Sequence, residues 1–368
     1  MVVVVAPSYP YRGGIADTTD AFVETLLKQN QKVVVVSFSV LYPKLLFPGK
    51  TQFSEEHKTL SYKSVRLINT LNPYSWWKTA KYINLLNPNT VVFRYWSPWL
   101  ALSYGTIARL LKSKKIAWID NALPHERKLG DKILLKFFLD KINVIASMSE
   151  KVSSTLKVYT KKPIKTLFHP INNRLPDPID KATAVTTLGL DSKIKHLLFF
   201  GIIRPYKGLD ILIKSLPTLL KKRPNTQVLV VGEPYESMKH YRALAVSLNV
   251  SDYILFHDSF VPNTEIPLWF SACDWVIQPY KSATQSGITP MAIHYSKPTI
   301  VTDVGGLAEG ITAETGLVSK ADPESFGKTL IKALEKSEAF QNPKAFSKLK
   351  KEKSWHAFCQ EFISDFLS

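Results

Sequence analysis

The sequence predicts an α/β protein of two doubly wound domains, each a parallel sheet covered by helices on both faces. Short runs rich in β-branched residues alternate with helically spaced segments, and this alternation lapses near residue 169 and restarts near residue 196. The 368 residues, 45% of them hydrophobic, suffice for two cores of ordinary size.

In the first half the runs are VVVVA at 2–6, KVVVVSF at 32–38, TVVFRYW at 90–96, KKIAWID at 114–120 and NVIASMS at 143–149. They are apolar nearly throughout rather than at alternate positions, which marks strands buried on both faces of a parallel sheet. The Pro- and Asn-bearing stretch HPINNRLPDPID, 169–180, opens a hinge expected to extend over 169–195. The second half gives HLLFFG at 196–201, TQVLVVG at 226–232, YILFHD at 253–258, WVIQPY at 275–280 and PTIVTD at 298–303. The expected domains are therefore 1–168 and 196–353, with the amphipathic segment SWHAFCQEFISDFLS, about 354–368, packing back on the first. Ligands of such sheets sit outside the carboxyl ends of the strands, so a cleft between the two domains is the expected site.

Charge separates the halves. The chain carries 48 Lys+Arg against 30 Asp+Glu; residues 1–168 hold 25 basic and 10 acidic side chains, and residues 169–368 hold 23 and 20. A positive field of this kind draws polyanions, either nucleic acid or an anionic lipid surface, unless the surplus lysine serves only solubility. MVVVVAPSYP lacks the basic leader and the length of a signal peptide, and no apolar run approaches the ~20 residues that span a bilayer. The expected location is cytoplasmic, peripheral to the inner face of the membrane. Cys273 and Cys359 have no metal-ligand spacing and are expected to be reduced thiols.

Four glycine-bearing turns follow strand ends. In FFGIIRPYKGLDIL, 199–212, Arg204 and Lys207 precede Gly208 and a helical pattern, which places two cations where the helix dipole also favours an anion. Arg binds phosphate bidentately and Lys acts as a mobile charge, so the pair suits a diphosphate; a solvated loop with two surface cations is the plain alternative. Gly13 and Gly14 permit close backbone approach before the helix that follows VVVVA, without the GxGxxG spacing of a dinucleotide fold. TQSGITPMAIHYSKP, 284–298, offers Ser286 and Gly287 at another helix start, and DVGGLAEG, 303–310, supplies the fourth turn.

Taken together, strand–RPYKG–helix, the GGIA turn, SGITPMAIHYSKPTIVTDVGGLAEG and the closing SW-containing helix resemble a retaining glycosyltransferase of family 4 with the GT-B fold, two Rossmann-like domains facing each other across a cleft. The resemblance covers nearly the whole chain and is strongest over 196–311. It implies a C-terminal domain that binds a nucleotide-diphosphate sugar, UDP- or GDP-linked, and an N-terminal domain that binds a glycan or lipid-linked acceptor. By the same resemblance Arg204 and Lys207 hold the diphosphate, Gly13 and Gly14 lie against it, and the backbone near Val261 and Pro262 receives the nucleobase. The chain departs from the family at two places. Ala283 and Met291 stand where paired glutamates are common, and Gln285, Ser286 and Thr289, with the amides of Gly287 and Ile288, are expected to replace part of what those acids do; helix capping is the other use of Ser286. In WIDNALPHERK, 118–128, Asp120 stands where the family often has a histidine; Asp120 could orient a sugar hydroxyl and His125 could contact either substrate, or Asp120 could cap the turn and His125 lie on the surface. His169 is expected to be structural.

No Asp-x-Asp motif occurs and the histidines have no metal spacing, so no metal or other cofactor is expected and the cations and helix ends must neutralise the leaving group. The resemblance implies front-face displacement in which the departing phosphate takes the acceptor's proton, with domain closure about 169–180 completing the site. Two alternatives remain: a GT-B nucleotide-sugar epimerase, and a basic nucleic-acid-binding protein, for which NPYSWWKTAKY, 72–82, has a suitable composition. Nucleic acid is not the expected partner, because the four turns would then be unexplained. RLLKSKK, 109–115, and HERKLGDKILLKFFLDK, 125–141, gather basic residues around Leu134, Leu135, Phe137 and Phe138; this reads either as a helix lying in an anionic bilayer surface or as a crossover helix whose apolar face is core.

Overall fold

The computed structural model describes residues 1–43, 51–54, 57, 59–123, 129–171, 175–284 and 286–367. The chain forms two compact units, Met1–Pro170 with Ser354–Ser368, and Ile171–Lys353.

The first unit is built on seven parallel strands: β1 (Val2–Val5), β2 (Val33–Val40), β3 (Lys63–Asn69), β4 (Thr90–Tyr95), β5 (Lys114–Ile119), β6 (Val144–Ser147) and β7 (Ile164–Thr166). Their order is β3-β2-β1-β4-β5-β6-β7. The order reverses beside β1, and the crevice outside the carboxyl ends of β1 and β4 is where such a sheet takes ligands. Four crossover helices, α2 (Pro73–Leu86), α3 (Ala101–Leu110), α4 (Asp131–Leu139) and α5 (Glu150–Lys157), bury Ile83, Tyr104, Phe138 and Leu156 over one face. The other face is covered by α1 (Gly14–Lys28) and the terminal helix, Trp355–Phe362. There Phe22 meets Trp118 at 4.8 Å and Phe362 at 5.0 Å, so the last helix fills the core of the first unit rather than decorating it.

α4 resolves the two readings of 125–141 as far as 131–139 is concerned: Leu135 and Phe138 are core, Leu134 packs against that core, and the Phe137 ring fills the space left by Gly105 of α3. These four side chains are therefore turned toward the rest of the unit, while Ile133 is exposed. Among the described residues no helix is long and apolar enough to cross a membrane.

The second unit carries six parallel strands: β8 (Lys195–Phe200), β9 (Thr226–Val231), β10 (Ile254–His257), β11 (Trp275–Gln278), β12 (Thr299–Thr302) and β13 (Gly316–Ser319). Their order is β10-β9-β8-β11-β12-β13, which reverses between β8 and β11. Its first helix, α6 (Lys181–Thr187), falls in the stretch expected to be a hinge; Ala184 and Val185 are buried against Ala272, so burial holds this segment to the second unit. The remaining helices of this unit are α7 (Leu209–Lys222), α8 (Lys239–Ser247), α9 (Ile266–Ala272), α10 (Ile288–His294), α11 (Pro323–Glu335) and α12 (Pro343–Glu352).

Candidate functional site

The apolar run of β8 ends at Gly201, whose φ of 98° lies in the region that favours glycine. A side chain there would meet Lys207 Nζ and Ile288 Cδ1, each at 3.3 Å, so the glycine clears a space into which the RPYKG turn and the start of α10 converge. The turn is pinned to the end of β11: Lys281 N donates to Tyr206 O at 2.7 Å, and Gly208 passes so close to Pro279 O that a Cβ would lie 1.9 Å from it.

That turn buries Lys207. The side chain is 8% exposed and its ammonium lies 5.5 Å from the Tyr280 ring centre, with no carboxylate or carbonyl partner among the described residues. Burial pushes its pKa down, and Arg204 adds to that, while Tyr206 opposes it. Arg204 is half-buried, its guanidinium 5.0 Å from the Tyr235 ring centre, and it too lacks a carboxylate partner among the described residues. Two cations without counter-ions, one of them desolvated, are what a dianionic ligand would complete.

The residues expected around the sugar divide. Ser286 Oγ lies 3.4 Å from Tyr280 Oη and accepts from the amide of Ile288 at 3.1 Å, a local bond within the turn that leads into α10. Thr289 is buried and its hydroxyl accepts from Gln278 Nε2 at 3.0 Å, which ties the start of α10 to the end of β11. Gly287 borders open space, with nothing within 4 Å of where a Cβ would stand. Gln285 lies outside the described residues. Ala283 is packed with Tyr280, Val301 and Leu307, and Met291 lies against the core, so neither position of the absent glutamates is occupied by another acid. Val261, after β10, is buried while Pro262 is half-buried, and Glu265 N donates to Pro262 O at 2.9 Å.

In the first unit Gly13 and Gly14 open α1 beyond the carboxyl end of β1. Gly13 has φ 100°, and nothing lies within 4 Å of a Cβ built on either residue, which leaves an open backbone at the helix start. Asp120 follows β5 and meets an arginine of the neighbouring strand. Its Oδ2 accepts from Arg94 Nε at 2.9 Å and its Oδ1 from Arg94 Nη2 at 3.2 Å, with Asp120 2% exposed, so both oxygens join a buried ion pair. Arg94 Nη1 donates to Ile15 O at 2.9 Å and to Thr19 Oγ1 at 3.1 Å, and the guanidinium lies 4.2 Å from the Trp118 ring centre. Asp120 is thus linked through Arg94 to the first turn of α1. His125 lies outside the described residues. His169 Nδ1 is 3.0 Å from Pro170 O, and burial lowers its pKa.

Sequence reasoning overlooked Arg94, although a lone arginine inside the apolar run TVVFRYW signals a buried partner; it also overlooked Tyr235 and Tyr280, the two rings beneath the cations. Among the described residues no group of three or more His, Cys, Asp or Glu side chains is arranged to hold a metal ion.

Residues 194–336 match the family model described as glycosyl transferases group 1. The lipopolysaccharide core biosynthesis mannosyltransferase LpsB of Rhizobium meliloti is 32% identical over 198 residues, 51% of this chain and 54% of that protein. The D-inositol 3-phosphate glycosyltransferase of Frankia alni is 28% identical over 257 residues, 66% of this chain and 61% of that protein. The chain thus spans between about half and two thirds of the length of these curated relatives. Among solved structures, sucrose-phosphate synthase from Thermosynechococcus elongatus superposes with a TM-score of 0.76 at 15% identity, covering 99% of this chain and 97% of that one. Anabaena Alr3699/HepE in complex with UDP gives 0.76 at 14% identity, covering 99% of each chain. These likenesses establish the fold: two parallel-sheet α/β domains of the GT-B type.

Proposed function

We propose that the chain is a retaining glycosyltransferase that moves a hexosyl unit from a nucleotide-diphosphate sugar to a membrane-associated or polysaccharide-precursor acceptor. The observation that carries this reading is Lys207: a lysine 8% exposed, without a counter-ion among the described residues, beside Arg204 at the carboxyl end of β8. Burying an unpaired charge costs about 3 kcal/mol, and an anionic ligand returns it. The group 1 match over 194–336 covers this turn and directs the anion to a sugar-nucleotide diphosphate. The relatives support a glycan or glycolipid acceptor, since one is named for lipopolysaccharide core biosynthesis.

On this reading the second unit binds the donor and the first binds the acceptor. The bond from the anomeric carbon to the diphosphate oxygen breaks while the acceptor oxygen bonds to that carbon on the same face, which retains the configuration. The acceptor's proton passes to the departing phosphate, so no side-chain base is required. Arg204 and Lys207 take up the negative charge that grows on the leaving group, and the contribution of the protein is positioning plus that stabilisation. The lack of an Asp-x-Asp motif supports a leaving group neutralised by side chains rather than by a divalent ion. The fold is shared with epimerases, but an epimerase needs acid and base groups at the sugar, and Ala283 and Met291 provide none. Thermal shift with UDP, GDP and the corresponding monophosphates tests the donor class: a ligand at 100 times its Kd raises stability by about 2.7 kcal/mol. Diphosphates that shift the unfolding no more than buffer would refute the reading.

A further inference from the structure

The helices α2, α3 and α4 lie side by side on one face of the first sheet, α3 packing against both neighbours. Every strand pair of that sheet is parallel, so each helix runs from the carboxyl end of one strand back to the amino end of the next, and their first turns lie at one end. At that end six large apolar side chains are exposed: Leu71 58%, Tyr74 67%, Trp77 50%, Leu102 51%, Leu129 107% and Ile133 75%. Tyr74 and Trp77 stack at 5.9 Å with 26° between their planes, one turn apart on the surface of α2. Scattered exposed leucines need no explanation, but a row of six across three helix starts is a patch.

Cations flank the row. Lys78, Lys81, Lys132 and Lys136 are exposed and, among the described residues, none is paired with a carboxylate; Lys81 Nζ lies 5.4 Å from the Trp77 ring centre. The first turns of α2 and α3 contain no acid, and Asp131 of α4 is buried. Aromatic rings that are amphipathic, aliphatic side chains and long lysine stems are the composition that settles at the boundary between headgroups and acyl chains, and the unpaired charge selects anionic headgroups.

The geometry points to this row, the first turns of α2, α3 and α4 with their lysines, as the surface that seats the first unit on a bilayer carrying anionic lipid. It deepens the reading of a membrane-associated acceptor and rests on it for its purpose. The same end of the sheet holds Gly13, Gly14 and the Arg94–Asp120 pair, so seating here would bring the acceptor side of the enzyme to the membrane.

The row is confined to one end of the helices, which makes the test directional. Leu85, 75% exposed at the far end of α2, is the internal control. Cys273 and Cys359 are buried, so an environment-sensitive nitrobenzoxadiazole dye can be placed on Tyr74→Cys, Ile133→Cys or Leu85→Cys in the full chain. With vesicles of phosphatidylcholine and phosphatidylglycerol, the dye at 74 and 133 is expected to shift to the blue and to be quenched by spin-labelled acyl chains. At 85 it should do neither, and pure phosphatidylcholine should bind weakly. Replacing the four lysines by serine should weaken binding to anionic vesicles by about a hundredfold or more. An equal response at 85, none at 74 and 133, or a response to an oligonucleotide but not to vesicles would overturn the surface. Thermal shift with UDP and GDP on the same variants reports on the second unit separately, so a failed donor reading is distinguishable from a failed membrane surface.

Discussion

Arg94 clasps Asp120 through two hydrogen bonds, Nε at 2.9 Å and Nη2 at 3.2 Å, and uses its remaining nitrogen to hold the carbonyl of Ile15 in the first turn of α1. The pair is buried, so removing one partner strands the other. Asp120→Ala is expected to cost about 3–5 kcal/mol in urea unfolding, and the double variant Arg94→Met/Asp120→Leu much less. If Asp120→Ala left stability unchanged and removed only transfer, the carboxylate would be a substrate ligand after all.

Lys207 carries the opposite signature. A buried cation without a partner destabilises the empty protein, so Lys207→Met should raise its Tm while abolishing the shift produced by a nucleoside diphosphate. Differential scanning calorimetry with and without UDP or GDP checks both halves. A variant that is less stable and still binds would show the ammonium to be a structural element.

The depressed pKa of Lys207 also gives nucleotide binding a pH dependence. As pH rises through a value below the 10.5 of free lysine, the ammonium loses its proton and the diphosphate loses a counter-ion. Affinity measured by calorimetry between pH 7 and 10 should fall earlier in the wild type than in Lys207→Arg, whose guanidinium stays charged across that range. Parallel curves would show that the lysine does not meet the phosphates.

His196 sets an acid limit on stability. It is fully buried, both ring nitrogens lack hydrogen-bond partners among the described residues, and burial lowers its pKa from 6.5. The folded state therefore holds it neutral, while the unfolded chain takes up a proton near 6.5. Its contribution is complete above that value and is lost as pH falls from there through the folded pKa. His169 and His294, also lowered by burial, act in the same sense. Unfolding free energy should decline from about pH 6.5 downward, and His196→Leu should flatten part of that slope.

The central strands could be read from the sequence because both faces of each are apolar. β3, β7 and β13 could not. All three are sheet edges, and β3, half-exposed along most of its length, reads as a polar segment. The RPYKG turn was legible as an anion site since its cations stand between an apolar strand and an amphipathic helix, all within fourteen residues. The role of Asp120 was not, because its partner Arg94 lies 26 residues away on the neighbouring strand, where register alone brings them together. Likewise the leucines and phenylalanines of α4 have one helical period whether they face lipid or core. Only the packing of Phe137 against Gly105 and of Phe138 beneath the sheet decides.

The most direct test of the account is transfer itself: radiolabelled UDP- and GDP-hexoses incubated with the protein and a membrane lipid extract in the presence of EDTA. The account predicts label in the glycan or lipid fraction, with the anomeric configuration of the donor retained. Arg204→Ala and Lys207→Ala should each lower the rate by a factor corresponding to about 3 kcal/mol, on the order of a hundredfold. Transfer at the wild-type rate in both variants, or transfer that vanished with EDTA and returned with Mg²⁺ or Mn²⁺, would contradict it.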